Sequence, residues 1–212
     1  MRLVIYLPLL LLAFSAHEAA HAWAALQRGD PTARDQGRVT LLPFVHLDLW
    51  GSVLLPGLLI AMPVPWIFGY AKPTPVDPGK LRNPKRDFSL VALAGPGGNL
   101  ALALVFAALG AVAFRWFGVD SPEARLLVGA GILTNSALAC INLLPLPGLD
   151  GMKALYAFMS DEWCWRLQKV DRMFLPLIVA AALLGLLGEV QVLAFGLGTG
   201  LCALAGTGQP PL

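Results

Sequence analysis

The chain has 212 residues, of which 57% are hydrophobic and 13% are charged, and its mean hydropathy is +0.69. Soluble proteins carry about 25% charged residues, so this composition excludes an ordinary soluble domain and indicates several membrane-spanning helices. The net charge is only +2 and the charges form no acidic or basic tail, so nothing points to a nucleic-acid partner.

Four or five apolar segments qualify as membrane spans, each of which needs about 20 mostly apolar residues. In chain order they are 3–27, 50–71, 88–117, 124–146 and 173–206. The last is too long for one span, so it predicts either a tilted helix with an interfacial piece or two short helices. We therefore predict an all-α polytopic membrane protein with about 4–6 transmembrane helices, in a single membrane-embedded domain over residues 1–212.

The basic residues are distributed unevenly among the polar connections. Three connections carry several Lys and Arg residues, whereas 118–125 carries only Arg125. The basic connections are 28–40, 72–87 and 147–172. Because basic residues collect on the cytoplasmic side of a membrane, these three are predicted inside and 118–125 outside.

Segment 50–71 then lies between two inside connections, so it should not cross the membrane once. Its glycines and prolines suit a re-entrant or interfacial loop, within a longer loop region predicted at 38–87. An ordinary span is the alternative if the charge rule is weak in this chain.

The first apolar segment carries the motif His17-Glu18-Ala19-Ala20-His21. It begins like a secretory signal, but it runs into the motif without a convincing cleavage site, so we predict a retained helix. Residues four apart share one helix face about 6 Å apart along the axis, so the two imidazoles can converge on one zinc ion. Glu18 is then placed to take a proton from a zinc-bound water, a pattern typical of metalloproteases. The alternative is a polar cluster that only hydrogen-bonds helices together.

Catalytic zinc usually has three protein ligands, so a third residue must come from elsewhere in the chain. The candidates are His46, Asp48, Asp150 and Glu189. Asp150 fits best, because it follows a helix broken by Pro145 and Pro147 and has glycines close by on both sides. Asp150 could equally act only as the cap of the next helix.

Three motifs follow one another along the chain. They are His17-Glu-Ala-Ala-His21, Gly95-Pro-Gly-Gly-Asn99 and Asn142-Leu-Leu-Pro-Leu-Pro-Gly-Leu-Asp150-Gly151. In type and order they resemble the motifs of the site-2 protease family of intramembrane zinc metalloproteases. Gly69-Tyr-Ala-Lys-Pro-Thr-Pro-Val-Asp-Pro78 and Asn83-Pro-Lys-Arg-Asp87 also resemble compact bacterial members, which carry neither a PDZ nor a CBS domain.

The resemblance implies a set of metal ligands and an activity. His17, His21 and Asp150 would bind Zn²⁺, and Glu18 would be the catalytic base. The implied reaction is hydrolysis of peptide bonds in or near transmembrane segments of membrane-protein substrates, as in regulated intramembrane proteolysis. The implied location is the lipid bilayer of the bacterial inner membrane, with the active site towards the cytoplasm.

The resemblance also suggests roles for three polar residues outside that set. Asn142 would orient the substrate or stabilise the oxyanion, and Asn99 would support the packing of the third helix against the first. His46-Leu-Asp48 resembles a His-Ile-Asp sequence of compact members, which favours a loop histidine near the site over a ligand.

Three other functions are consistent with the same residues. One is a different membrane zinc enzyme in which Glu162 or Glu189 is the third ligand. Another is a catalytically silent relative that binds membrane proteins without cleaving them. The third is a membrane metal-ion transporter, which would need a polar route through both leaflets.

Overall fold

The computed structural model describes residues 2–61, 69–119, 121–170 and 188–207. Within these ranges the chain is helical and contains no strand, which confirms the predicted all-α class. The α-helices are α1 (Arg2–Gln27), α2 (Thr32–Asp35), α3 (Leu55–Ala61), α4 (Pro84–Trp116), α5 (Pro122–Asn142), α6 (Asp150–Ala154), α7 (Asp161–Val170) and α8 (Gly188–Ala205). Turns of 3-10 helix lie at Pro43–Val45, Pro78–Lys80 and Leu155–Phe158, and a π-helix lies at Leu49–Leu54.

Three of these helices are long and apolar enough to cross a bilayer. The candidate spans are Val4–Gln27 in α1, Pro84–Trp116 in α4 and Pro122–Asn142 in α5. Residues 173–187 of the last predicted segment lie outside the described residues, and the remainder contains the whole of α8. The number of helices in that segment therefore stays a prediction.

The ends of α4 and α5 follow from local residue chemistry. α4 begins earlier than predicted, because Pro84 lacks an amide donor and suits the first helical position. α5 begins behind Ser121, whose hydroxyl accepts a hydrogen bond from the Ala124 amide at 3.1 Å. It ends at Asn142, earlier than predicted, because Pro145 cannot donate and disfavours helical backbone in the residue before it.

Small residues allow the long helices to approach closely. α4 packs against α1, α5 and α8, so it lies at the centre of the bundle. A Cβ atom added at Gly98 of α4 would lie 2.7 Å from the Cβ of Ala20 in α1. A compact apolar core joins α4, α5 and α8. It consists of Ala103, Ala107, Ile132, Leu201, Cys202 and Ala205.

The polar connections gather at one end of the bundle. Arg28, just after α1, forms a salt bridge of 3.6 Å with Asp87 in the first turn of α4. The Arg28 carbonyl also accepts a hydrogen bond from the Arg82 amide at 3.1 Å. Ser89 of α4 donates its hydroxyl to the Lys153 carbonyl of α6 at 3.2 Å. The three basic connections therefore lie at the same end.

The segment after the π-helix returns to the place from which it departs. The Tyr70 amide donates to the Gly51 carbonyl at 2.9 Å, and the Ser52 hydroxyl donates to the Tyr70 carbonyl at 2.8 Å. A Cβ atom at Gly51 would overlap the Tyr70 ring, so glycine is required for this contact. Because Gly51 and Tyr70 are hydrogen-bonded neighbours, the two ends of segment 50–71 lie together. This adjacency favours the predicted re-entrant or interfacial loop over a single crossing of the membrane.

Candidate metal centre

Three ligand atoms from two distant parts of the chain meet at one point. α1 places the imidazoles of His17 and His21 one turn apart, and their Nε2 atoms lie 3.1 Å from each other. Asp150, the first residue of α6, brings Oδ2 to 2.9 Å from His17 Nε2 and to 3.1 Å from His21 Nε2. All three side chains are buried, and together they could hold a metal ion.

The spacing of these atoms fits zinc. Tetrahedral zinc with bonds of about 2.0–2.1 Å separates its ligand atoms by about 3.3 Å. The separations of 2.9–3.1 Å found here are close to that value. Two imidazole nitrogens and a carboxylate oxygen are common zinc ligands, and three protein ligands leave the fourth position for water, as in catalytic sites.

A hydrogen bond at the other ring nitrogen orients each imidazole. His17 Nδ1 lies 2.7 Å from Oδ1 of Asn99, and His21 Nδ1 lies 2.7 Å from the Val91 carbonyl oxygen. Because both of these oxygens can only accept, both Nδ1 atoms carry the proton and both Nε2 lone pairs face Asp150 and the metal position. Metal-binding histidines need this tautomer, and outer partners of this kind fix it.

Asn99 is itself held by residues of two other helices. Its Nδ2 donates to the Ala13 carbonyl of α1 and to Oδ1 of Asn135 in α5, both at 3.0 Å. Asn135 Nδ2 donates to the Gly131 carbonyl at 2.9 Å, which leaves its Oδ1 as the acceptor for Asn99. Both asparagines are fully buried, so this network joins α1, α4 and α5 and sets the orientation of the His17 ring.

Two motif glycines make room for the cluster. A Cβ atom at Gly95 would overlap the His21 imidazole and lie 2.7 Å from His17 Cε1, so α4 passes the histidines only without a side chain here. A Cβ atom at Gly151 would overlap the Leu143 carbonyl, where the chain turns after α5. These contacts explain the need for glycine at both positions in physical terms.

The turn between α5 and α6 directs the Asp150 carboxylate towards the histidines. Gly148 has a φ of +87°, which favours glycine, and the Lys153 Nζ donates to Asp150 Oδ1 at 3.2 Å. Asp150 therefore presents Oδ2 to both imidazoles, and no side chain caps the start of α6.

Glu18 is buried next to His17, and a separate segment binds it. The Thr74 amide donates to Glu18 Oε2 at 2.7 Å, and the Thr74 hydroxyl donates to the Glu18 carbonyl at 3.0 Å. Among the described residues Oε1 has no hydrogen-bond partner. One carboxylate oxygen is thus fixed, and the other is available to a water or a substrate.

The other candidate ligands lie outside the cluster. His46 is fully buried, and its Nε2 donates to the Thr40 carbonyl of its own loop at 2.9 Å. The Asp48 carboxylate caps the π-helix. Glu162 is exposed and pairs with an arginine of its own helix. None of these three joins the metal-binding group of the described chain, and the side chain of Glu189 is not among the described ones.

Asn142 is the last residue of α5 and is partly buried. Its Nδ2 donates to the Leu138 carbonyl one turn earlier, at 2.9 Å. In the described ranges it makes no hydrogen bond to the histidines or to Asp150, so the structure does not join it to the metal cluster.

Sequence reasoning missed three residues that support the cluster. Val91 and Thr74 act through a backbone carbonyl and a backbone amide, which every residue except proline has, so no residue type marks them. Asn135 carried a usable signal, because a buried amide inside an apolar span is costly and indicates a hydrogen-bond partner.

Comparisons with known proteins identify curated relatives. "Putative zinc metalloprotease YwhC" of Bacillus subtilis is 37% identical over 150 residues, which are 69% of this chain and 65% of that protein. "Putative zinc metalloprotease Rip2" of Mycolicibacterium smegmatis is 34% identical over 152 residues, or 72% of this chain and 56% of that protein. The chain thus spans less than two thirds of the length of these relatives. No family model and no solved structure gives a significant match.

Proposed function

Because this chain belongs to the site-2 protease family of zinc metalloproteases, we propose that it hydrolyses peptide bonds in or near transmembrane segments of membrane-protein substrates. One observation carries the proposal. His17 and His21 of α1 meet Asp150, which lies 129 residues beyond His21, with Glu18 directly beside them. A metalloprotease needs two imidazoles, a third ligand and a base in one place.

Each side chain of the site has a separate role in the proposed hydrolysis. His17, His21 and Asp150 would hold Zn²⁺, which when bound would lower the pKa of a water towards about 7 and polarise the scissile carbonyl. Glu18 takes a proton from the attacking water through its unbonded oxygen and returns it to the leaving amine. Asn142, at the end of α5, orients the substrate backbone or stabilises the oxyanion.

The position of the histidines along α1 supports cleavage within the membrane. His17 lies ten residues before the end of α1 at Gln27, which is about 15 Å at 1.5 Å per residue. The hydrocarbon core of a bilayer is about 30 Å thick, so we propose that the histidines lie within it if α1 leaves the bilayer near Gln27. A substrate helix hides its carbonyls in its own hydrogen bonds, so it must unwind locally to be cut. Water reaches the site from the basic end of the bundle, which faces the cytoplasm in this proposal.

The packing supports hydrolysis over ion transport. The core that joins α4, α5 and α8 contains no charged side chain. A transporter needs a polar route through both halves of the membrane, and the side chains of this core are all hydrophobic. A catalytically silent relative would not need a base or a third ligand. The Glu18 carboxylate bound by the Thr74 amide and the Asp150 carboxylate beside His17 therefore support an active enzyme.

The decisive test uses Glu18→Gln in purified protein reconstituted into liposomes. The substrate is a library of single-span peptides with labels on both sides of the span. We expect Glu18→Gln to keep one zinc per chain and to lose cleavage, because the amide cannot accept the proton. Glu162→Gln, an exposed acid on α7, should cleave like the unmodified protein. Cleavage retained by Glu18→Gln would refute the mechanism, and zinc flux without cleavage would favour a transporter.

A further inference from the structure

An extended segment passes beside Glu18, and we call residues 69–77 the active-site strap. It contains no helix, and it includes the sequence Lys72-Pro73-Thr74-Pro75. The prolines have no amide hydrogen, so Thr74 is the only amide donor among residues 73–75. That single donor is the one that binds Glu18 Oε2, at 2.7 Å.

Hydrogen bonds hold both ends of the strap to the rest of the protein. At its start, the Lys72 amide donates to the His46 carbonyl at 2.8 Å. At its end, the Asp77 amide donates to Oδ2 of the fully buried Asp30 at 2.7 Å. Both anchors, His46 and Asp30, belong to the region that follows α1, and Thr74 lies between Lys72 and Asp77.

Arg38 holds the middle of the strap. Its Nη1 donates to the carbonyl oxygens of Lys72 and Pro73, both at 3.0 Å. Arg38 is only 5% exposed, and within the described ranges no carboxylate lies at salt-bridge distance from it. Burying an arginine without a carboxylate is costly. The buried Arg38 therefore indicates that its two hydrogen bonds to the strap are specifically required.

The geometry of one peptide group connects Arg38 to Glu18. The Pro73 carbonyl and the Thr74 amide belong to the same peptide unit, and in a trans peptide the C=O and N–H bonds point in opposite directions. Arg38 donates a hydrogen bond to the Pro73 carbonyl on one side of this peptide, and Glu18 accepts one from the Thr74 amide on the other side. Rotation of this peptide would break both bonds together.

We propose that Arg38 is a positioning residue for the catalytic base: by fixing the Pro73–Thr74 peptide it holds Glu18 Oε2 and leaves Oε1 directed at the attacking water. The inference rests on the proposed peptidase function of the same site. Glu18 is the group that moves the proton, and Arg38 acts only through the strap. An error of about 1 Å in the position of a base can cost about 100-fold in rate.

The test compares Arg38→Met, Arg38→Lys and Arg34→Met in the zinc-loaded protein. Arg34 belongs to the same loop, but it is exposed and pairs with Asp35, so it is the matched control. We expect Arg38→Met to keep one zinc and to lower kcat by about 10- to 100-fold with KM changed by less than about threefold. Arg38→Lys should recover part of kcat, because one ammonium can still donate to these carbonyls. Arg34→Met should match the unmodified protein.

If Arg38→Met does not fold, a second measurement tests the role of the Pro73–Thr74 peptide. Replacing the Pro73–Thr74 amide by an ester, through incorporation of the hydroxy-acid analogue of threonine, removes only the N–H. We expect kcat to fall by about 10- to 100-fold with one zinc still bound, because Glu18 Oε2 loses the amide that donates to it.

The proposal is overturned if Arg38→Met and the ester retain full kcat while Glu18→Gln is inactive. It is also overturned if the loss of activity in Arg38→Met follows a matching loss of zinc, since Arg38 would then support only the fold. In both cases the proposed peptidase function stands, because that function is tested separately by Glu18→Gln.

Discussion

Replacing Asn99 by leucine should weaken zinc binding by about 10- to 100-fold, the range found when outer partners of metal ligands are removed. The substitution removes the oxygen that lies 2.7 Å from His17 Nδ1 and fixes its tautomer. The imidazole can then rotate or present the protonated nitrogen to the metal. Tenfold corresponds to 1.36 kcal/mol, so the loss amounts to about 1.4–2.7 kcal/mol of binding free energy.

The same network predicts a smaller effect at Asn135. In Asn135→Leu the Asn99 Nδ2 loses one acceptor but keeps the Ala13 carbonyl, so Asn99 still faces His17. We expect a loss of zinc affinity below that of Asn99→Leu. Asn142→Leu is the matched control, because Asn142 hydrogen-bonds only within its own helix among the described residues, and its zinc affinity should not change.

The assay is a zinc titration in detergent against a chromophoric chelator of known affinity, with helix content checked by circular dichroism. An Asn99→Leu protein that binds zinc within twofold of the unmodified chain would refute the argument. So would an Asn135→Leu protein that binds more weakly than Asn99→Leu, because the order of effects follows directly from the order of contacts.

Three further predictions test other parts of the structure. Gly95→Ala should abolish zinc binding, because its Cβ would overlap the His21 imidazole, whereas Gly97→Ala, with open space around it, should bind zinc normally in the same titration. Gly51→Ala should lower the melting temperature of the detergent-solubilised protein, because its Cβ would overlap the Tyr70 ring, and Gly57→Ala should not; equal melting temperatures would contradict the re-entrant contact. Burial raises the pKa of Asp30, but hydrogen bonds from Thr32 and Asp77 hold it below its ordinary value, so its stabilisation is present at neutral pH and is lost as the pH falls through the depressed folded-state pKa. Asp30→Asn should therefore melt lower at neutral pH and lose less stability on acidification than the unmodified chain, and parallel melting curves against pH would exclude this role.

The sequence was sufficient for the helices that carry strong local signals. The spans over α1, α4 and α5 follow from apolar length alone, and the pairing of His17 with His21 follows from the period of one helix. The adjacency of the two ends of segment 50–71 was also predictable, because the basic residues that flank it place both ends on one side of the membrane.

The third ligand could not be identified from local sequence patterns as the two histidines could. Asp150 is separated from His21 by 129 residues, so their contact depends on how α1, α4 and α5 pack. Asp48 and Asp150 both lie at the start of helical turns, and only the fold distinguishes the carboxylate that caps a helix from the one that faces two imidazoles. The contacts of Val91 and Thr74 are made by backbone atoms, and no sequence pattern could show them.

X-ray absorption spectroscopy of the zinc-loaded protein tests whether His17, His21 and Asp150 form the metal centre. We expect one zinc per chain, bound by two imidazole nitrogens with oxygen as the only other kind of ligand atom, at about 2.0–2.2 Å. Replacing Asp150 by alanine should lower the affinity and leave both imidazoles in the spectrum of the remaining bound zinc. A sulfur ligand at about 2.3 Å, or a spectrum with fewer than two imidazoles, would contradict a centre built from His17, His21 and Asp150.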